Sequence, residues 1–294
     1  MNDIPEIVRA FVRRPNETFA LATLLRATGS SYRRPGARML IARDGERAGS
    51  LSAGCLEDEV VDAAQEVIAT SEPRLMTFDT RRRFGCNGSI EIFVERARND
   101  LLGEIARQVC ARQPFLIETS ETFGTRMLED ATSGGFVQQI EPVIKLLIVG
   151  TGPDGAALVD QAKLLAWETI LIESIAECAG EFDAWTAAIV ATHNYGRDCA
   201  ALRHLLPLGL RYLGVIGPRR RRDEMLSDAL DAGATMNSQL FAPSGLHLSA
   251  ETPAEIALSI VAEIQATFAS GTAVSLSKRN APIHESHSET IPAT

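Results

Sequence analysis

The run IKLLIV at 144–149 passes directly into Gly150-Thr-Gly152-Pro-Asp-Gly155 and then into a helix-forming stretch. Alone, a G-x-G-x-x-G pattern says little. Set between a strand and a helix it gains a mechanism: Gly150 allows the tight turn, Gly152 lets a phosphate approach the backbone, and Gly155 lets helix and strand pack closely. Glu173 ends the next strand, 18 residues after Gly155, about where a carboxylate would meet a ribose diol. Beyond Lys145, apolar runs at 144–149, 169–172, 187–191 and 211–216 alternate with helical segments near 153–166, 197–206, 219–232 and 253–269. That rhythm predicts an α/β domain, a Rossmann-like parallel sheet faced with helices, over residues 141–270. The same glycines would also suit a degenerate Rossmann domain that binds nothing, so the ligand stays open here.

Residues 1–140 have a different rhythm and predict a mixed α+β domain. The runs 18–25 and 38–42 read as strands, with Asp44-Gly45 turning the second into a hairpin that returns through 47–51. A helix is expected over 56–69, where Leu56, Val60, Ala63, Ala64, Val67 and Ile68 recur at three- and four-residue spacing and Glu57, Asp58 and Glu59 fill the first turn. Residues 89–94 and 114–119 read as strands and 100–111 as a second helix. The stretch 129–142, with Ser133-Gly134-Gly135, has the composition of an interdomain connection or hairpin tip. Residues 271–294 are polar and aperiodic, and a mobile tail is expected there.

The 38 acidic residues outnumber the 29 lysines and arginines, a formal charge of −9 that disfavours nucleic-acid binding by phosphate neutralisation. Any anionic ligand must then be held by local arginines. No apolar run is long enough to span a membrane, and the N-terminus lacks the apolar core of a signal peptide, so a cytoplasmic protein is expected. The five cysteines, Cys55, Cys86, Cys110, Cys178 and Cys199, include no C-x-x-C pair, which supports neither a disulfide framework nor a zinc ribbon. P-loop, H-E-x-x-H and G-x-S-x-G patterns are absent, which argues against a simple kinase or hydrolase.

Three glycine-bearing turns of the first domain carry cations or thiols. The first presents Arg33, Arg34 and Arg38; the second, through Gly54, delivers Cys55 to a helix start; the third joins Arg81, Arg82 and Arg83 to Gly85 and Cys86. Backbone N–H groups in such turns receive anions, and the positive end of a helix lowers a thiol's pKa. Cys55 is therefore a candidate thiolate, although the three acids after it oppose that shift and a small buried role would serve equally. An adjacent glycine likewise explains the Cys86 loop without chemistry. In the second domain Thr192-His193-Asn194 follows a strand at the sheet edge where ligands bind, and helix capping by Asn194 is the plainer alternative. Arg219 to Arg222 open another helix after Gly217-Pro218; four successive arginines on a helix cannot all face one way, so one or two would meet an anion.

The segments ATGSSYRRPGARMLI, GSLSAGCLEDEVVDAA and FGCNGSIEIFVE, followed by IVGTGPDGAALVDQAKLLAWETILIE, ATHNYGRDCAALRHLL and RYLGVIGPRRRRDEML, resemble the XdhC/CoxI family of xanthine dehydrogenase accessory proteins. The resemblance implies a cofactor chaperone rather than a turnover enzyme: one that binds the molybdenum cofactor, molybdopterin with its terminal phosphate or nucleotide, protects it during sulfuration and delivers it. It implies a xanthine dehydrogenase-type molybdoenzyme and a cysteine desulfurase as partners; a homodimer is expected from the Rossmann-like domain, as in many Rossmann proteins. On that reading Arg33, Arg34 and Arg38 hold phosphate, and Cys55 and Cys86 approach the molybdenum or the sulfur route. Gly54, Gly85, Gly150, Gly152, Gly155, Glu173, His193 and Arg219 complete the binding set. The rival expectations are an NAD(P)-dependent oxidoreductase resting on the Rossmann turn, with His193 as proton donor, and a cofactor-free scaffold for protein partners.

Overall fold

The computed structural model describes residues 3–29, 31–54, 56–79, 88–129 and 134–280. The chain divides into two compact units between Pro142 and Val143.

In the first unit, strands β1 (Phe19–Gly29), β2 (Arg38–Ala42), β3 (Arg47–Gly49), β4 (Arg74–Asp79) and β5 (Gly88–Arg96) form an antiparallel sheet in the order β3-β2-β1-β5-β4. Helix α2 (Glu57–Thr70) covers one face: its Val60, Ala64, Val67 and Ile68 pack on Ala20, Ala22, Leu24, Met39, Ile41, Ile92 and Val94. Helices α1 (Ile4–Arg13) and α3 (Asn99–Ala111) bring Ile4, Ile7, Phe11, Leu101, Leu102 and Ile105 against Phe19, Leu21, Leu40 and Ala42 on the other. Successive side chains of a strand point to opposite faces, so a strand covered on both sides is apolar at nearly every position, as FALATLL is around its one buried threonine, Thr23. A second antiparallel sheet, β7-β6-β8, is built from β6 (Phe115–Ser120), β7 (Gly124–Leu128) and β8 (Phe136–Ile140).

Four elements here depart from the sequence reading. Helix α1 was not anticipated, nor were β4 and β7; and β8 occupies the centre of what read as a connection. For the strands, exposure explains the silence of the pattern: β4 is largely exposed and β8 half-buried, so neither needs an apolar run. Of the expected tail, residues 281–294 lie outside the described residues.

In the second unit β9 (Lys145–Val149), β10 (Glu168–Ile172), β11 (Thr186–Val190), β12 (Tyr212–Val215) and the short β13 (Leu240–Phe241) pair in parallel in the order β10-β9-β11-β12-β13. Helices α4 (Pro153–Leu164) and α7 (Pro253–Phe268) cover Leu146, Ile148, Ala187 and Ile189. Helices α5 (Tyr195–Leu205) and α6 (Arg219–Asp231) cover Leu147, Val149, Ala188 and Val190. The expected parallel, Rossmann-like sheet is therefore present, with the mixed α+β unit preceding it. Strand order reverses at β9: β10 lies on one side of it and β11 on the other. The crevice beyond the carboxyl ends of β9 and β11 is where open α/β sheets take ligands. Among the described residues no helix is long and apolar enough to cross a membrane.

Candidate functional site

Within the first unit the three loop arginines have different fates. Arg33 donates to both carboxylate oxygens of Asp3 at 2.7 and 2.5 Å and to Ser50 Oγ at 3.2 Å. Arg34 is exposed. Arg38 opens β2 and is 1% exposed, donating to Gly36 O at 3.1 Å and to the Gln138 side chain on β8. Its Nε and Nη2 have no hydrogen-bond partner, and burial pulls its pKa down to about 10, so it stays cationic at neutral pH. The structure thus groups Arg38 with the core, as a strut between β2 and β8, and leaves Arg34 as the cation facing solvent.

Gly54 sits at φ +104 with open space where a Cβ would stand. Its loop is organised by Glu57, a residue with no expected role in that loop: the buried carboxylate turns back from the first turn of α2 and accepts from Leu51 N at 3.3 Å and Ser52 N at 3.5 Å. Ser52 Oγ in turn accepts from Gly54 N at 3.0 Å. Cys55, Gly85, Cys86 and the cations Arg81, Arg82 and Arg83 lie outside the described residues. Of the remaining cysteines, Cys110 is exposed, while burial pushes the thiols of Cys178 and Cys199 up, away from thiolate chemistry. Among the described residues no cluster of His, Cys, Asp and Glu could hold a metal ion.

At the carboxyl edge of the second unit the three glycines do different jobs. Gly150, at φ +130, donates to Ile172 O at 2.8 Å, and a Cβ on it would lie 2.3 Å from Ala191 O. A Cβ on Gly155 would lie 2.0 Å from Gly150 O, so this glycine lets α4 close onto β9. Gly152, the N-cap of α4, has an ordinary φ of −69 and nothing within 4 Å of where its Cβ would be. No contact within the protein requires a glycine there. Gly152 offers the first turn of α4 no side-chain cap, and a helix N-terminus of this kind receives anions.

His193 stands on the neighbouring turn in the left-handed region, φ 55, with its side chain 53% exposed. Its Nε2 is 2.8 Å from Oδ2 of Asp154, itself 13% exposed in the first turn of α4, so the pair bridges the two turns of the switch point. Asn194 caps α5, accepting from Arg197 N at 3.1 Å, as the plainer alternative anticipated. Glu173 is not free: Arg197 on α5 donates to it at 2.9 Å. The arginine run divides by helical phase. Arg221 donates to Asp198 at 2.5 Å and Arg222 to Ala242 O at 2.7 Å, while Arg220 pairs with Glu224 within its own helix. Arg219 is exposed at the helix start. Asp154, Arg197 and Asp198 were not singled out in sequence; their partners are distant in the chain, and no local spacing reports them.

Comparison with known proteins gives two family matches in order along the chain. Residues 12–79 match the family model described as the XdhC and CoxI family, and residues 146–264 the one described as the XdhC Rossmann domain. The chain is 28% identical to a Bacillus subtilis protein named as a probable xanthine dehydrogenase subunit, over 84% of this chain and 92% of that protein. It is 23% identical to the Escherichia coli molybdenum cofactor insertion chaperone PaoD, over 83% of this chain and 81% of that one. A crystal structure described as a xanthine dehydrogenase from Bacillus halodurans superposes with a TM-score of 0.78 at 26% identity, covering 94% of this chain and 98% of that one.

Proposed function

Because the chain belongs to the XdhC and CoxI family, with that family's N-terminal and Rossmann domains in order, we propose that it is a maturation factor for a molybdoenzyme. It binds the molybdenum cofactor, shields it during sulfuration and delivers it to an apoenzyme of the xanthine dehydrogenase type. Its similarity to PaoD, named as a molybdenum cofactor insertion chaperone, supports the cargo, and its similarity to a protein named as part of a xanthine dehydrogenase supports the recipient.

The structural observation that supports the reading is Gly152, whose missing Cβ serves nothing inside the protein and leaves no side chain of its own over the uncapped N-terminus of α4. The cargo is an anionic pterin with sulfur ligands, so it needs phosphate receptors and a thiol route. In the second unit Gly152 and Arg219 receive the phosphate or nucleotide end, with Gly150 and Gly155 shaping the turn and His193 beside it. In the first unit the exposed Arg34, together with Arg33, meets an anion, and the Gly54 turn serves as a further receptor. Cys55 and Cys86 supply the thiols on the sulfur route, with a cysteine desulfurase as the partner that feeds it. A cytoplasmic homodimer completes the proposal.

The test is metal and pterin analysis of the protein purified from a host that makes the cofactor, beside a titration with NADH. Molybdenum and pterin in near-equal amounts are the expected result. A protein that emerges empty and binds NADH overturns the reading in favour of a nicotinamide-dependent oxidoreductase.

A further inference from the structure

The segment 193–198 touches each of the turns around the switch point. His193 reaches Asp154 on the β9 turn, Arg197 reaches Glu173 at the end of β10, and Asp198 reaches Arg221 in the first turns of α6. Of these contacts, only the last rests on a fully buried group. Asp198 is 1% exposed, and its two oxygens are divided between the two elements it joins. Oδ1 accepts from Thr192 Oγ1 at 2.5 Å and Thr192 N at 3.2 Å; Oδ2 accepts from Arg221 Nη2 at 2.5 Å. Thr192 Oγ1 in turn accepts from Asn194 N at 3.1 Å, so the left-handed residue between them, His193, is clamped at both ends.

We propose that Asp198 is a positioning residue for the ligand edge of the second unit, holding the His193 turn and the start of α6 in register with the Gly150–Gly152 turn. This rests on the proposed binding of cofactor at that edge. The physical argument is one of cost. A buried carboxylate is stable only when its charge is met by donors, and Asp198 meets its charge with donors from two different turns. It therefore fixes both turns at once. The chain tolerates a histidine at positive φ and a half-buried arginine whose buried Nε has no partner only because this network determines them. Asp198 touches no ligand in this scheme; His193 and Arg219 are the groups whose placement it sets.

The test compares Asp198→Asn, Thr192→Val and Thr192→Ser with the unaltered chain, each purified from a cofactor-making host. Two quantities are followed: the rate at which bound pterin is released, and amide hydrogen exchange. If Asp198 positions the edge, Asp198→Asn and Thr192→Val release pterin roughly ten to a hundred times faster, as loss of a supporting shell does. Exchange over residues 191–197 accelerates while β9 and β11 stay protected, and Thr192→Ser, which keeps the hydroxyl, restores slow release. Release unchanged in Asp198→Asn and Thr192→Val overturns the proposal whatever the exchange shows. Should Asp198→Asn fail to fold, the Val and Ser variants at Thr192 decide alone. If the unaltered protein carries no pterin, the maturation reading fails; the positioning claim is then judged by the release of NADH from the same variants.

Discussion

Alanine at each of the three turn glycines should separate folding from binding, because the structure assigns them different reasons for lacking a side chain. At Gly150 an alanine must hold φ +130 with its Cβ 2.3 Å from Ala191 O. Strain of about 1–2 kcal/mol and overpacking of a similar size sum to roughly 3 kcal/mol. For a unit of this size that is a fall of about 6–12 °C in Tm. At Gly155 the Cβ would lie 2.0 Å from Gly150 O, pushing α4 off β9. Better helix propensity returns up to about 1 kcal/mol, so the net loss is roughly 2 kcal/mol. At Gly152 the backbone is ordinary and the space empty, so the alanine costs less than about 0.5 kcal/mol, and the stiffer unfolded chain offsets part of that. Its Cβ nevertheless occupies the volume a phosphate needs to reach the first amides of α4. The assay is a thermal melt of the three cofactor-free variants beside pterin content after expression in a cofactor-making host. The expected result is a Gly152→Ala protein that melts within about 2 °C of the parent and carries little or no pterin. Full pterin content in that variant would refute the assignment of ligand to this turn, and a melt as low as that of Gly150→Ala would refute the steric reasoning.

The loop arginines should also separate. Arg34→Glu, at an exposed position, leaves Tm unchanged and weakens pterin retention by about tenfold, whereas Arg38→Ala removes a buried strut and lowers stability by about 3 kcal/mol in urea melts. Cys55→Ala should lose cofactor without losing the fold; retention equal to the parent would remove Cys55 from the sulfur route. A further test concerns Glu95, whose carboxyl burial pushes above its ordinary value despite two donations from Thr125. A raised pKa means that the folded chain holds this proton more tightly than the unfolded chain. The contribution of Glu95 is therefore best in acid and declines as pH rises from about 4.5 through the folded value. Urea midpoints at pH 4.5 and 8 should show Glu95→Gln gaining on the parent toward pH 8, and parallel pH profiles for the two proteins would contradict it.

Strands covered on both faces were legible because burial leaves few positions free to be polar: LLIV in β9, AAIV in β11 and, around the single Thr23, LATLL in β1 could be seen without any structure. Strands with one wet face were not. RLMTFD and FVQQI carry too few apolar residues for a period to show, and they took shape only from their partners β5 and β6. Helix α1 is a different case, since Ile4, Ile7, Val8 and Phe11 repeat at helical spacing and the signal was present. The same division runs through the candidate site. The glycine turn is contiguous, so its order along the chain was sufficient, whereas Asp154 with His193, Glu173 with Arg197 and Asp198 with Arg221 join residues 39, 24 and 23 positions apart. Arg38 shows why residue type and loop membership were not enough. In sequence it sits with Arg33 and Arg34 in one basic turn, yet it is also the first residue of RMLIA, a strand buried at all five positions. A side chain that starts such a strand has no solvent side to take, and its charge had to be met from within, by Gly36 and Gln138. The residue before an unbroken apolar strand is thus better read as part of the core than as part of the loop it closes.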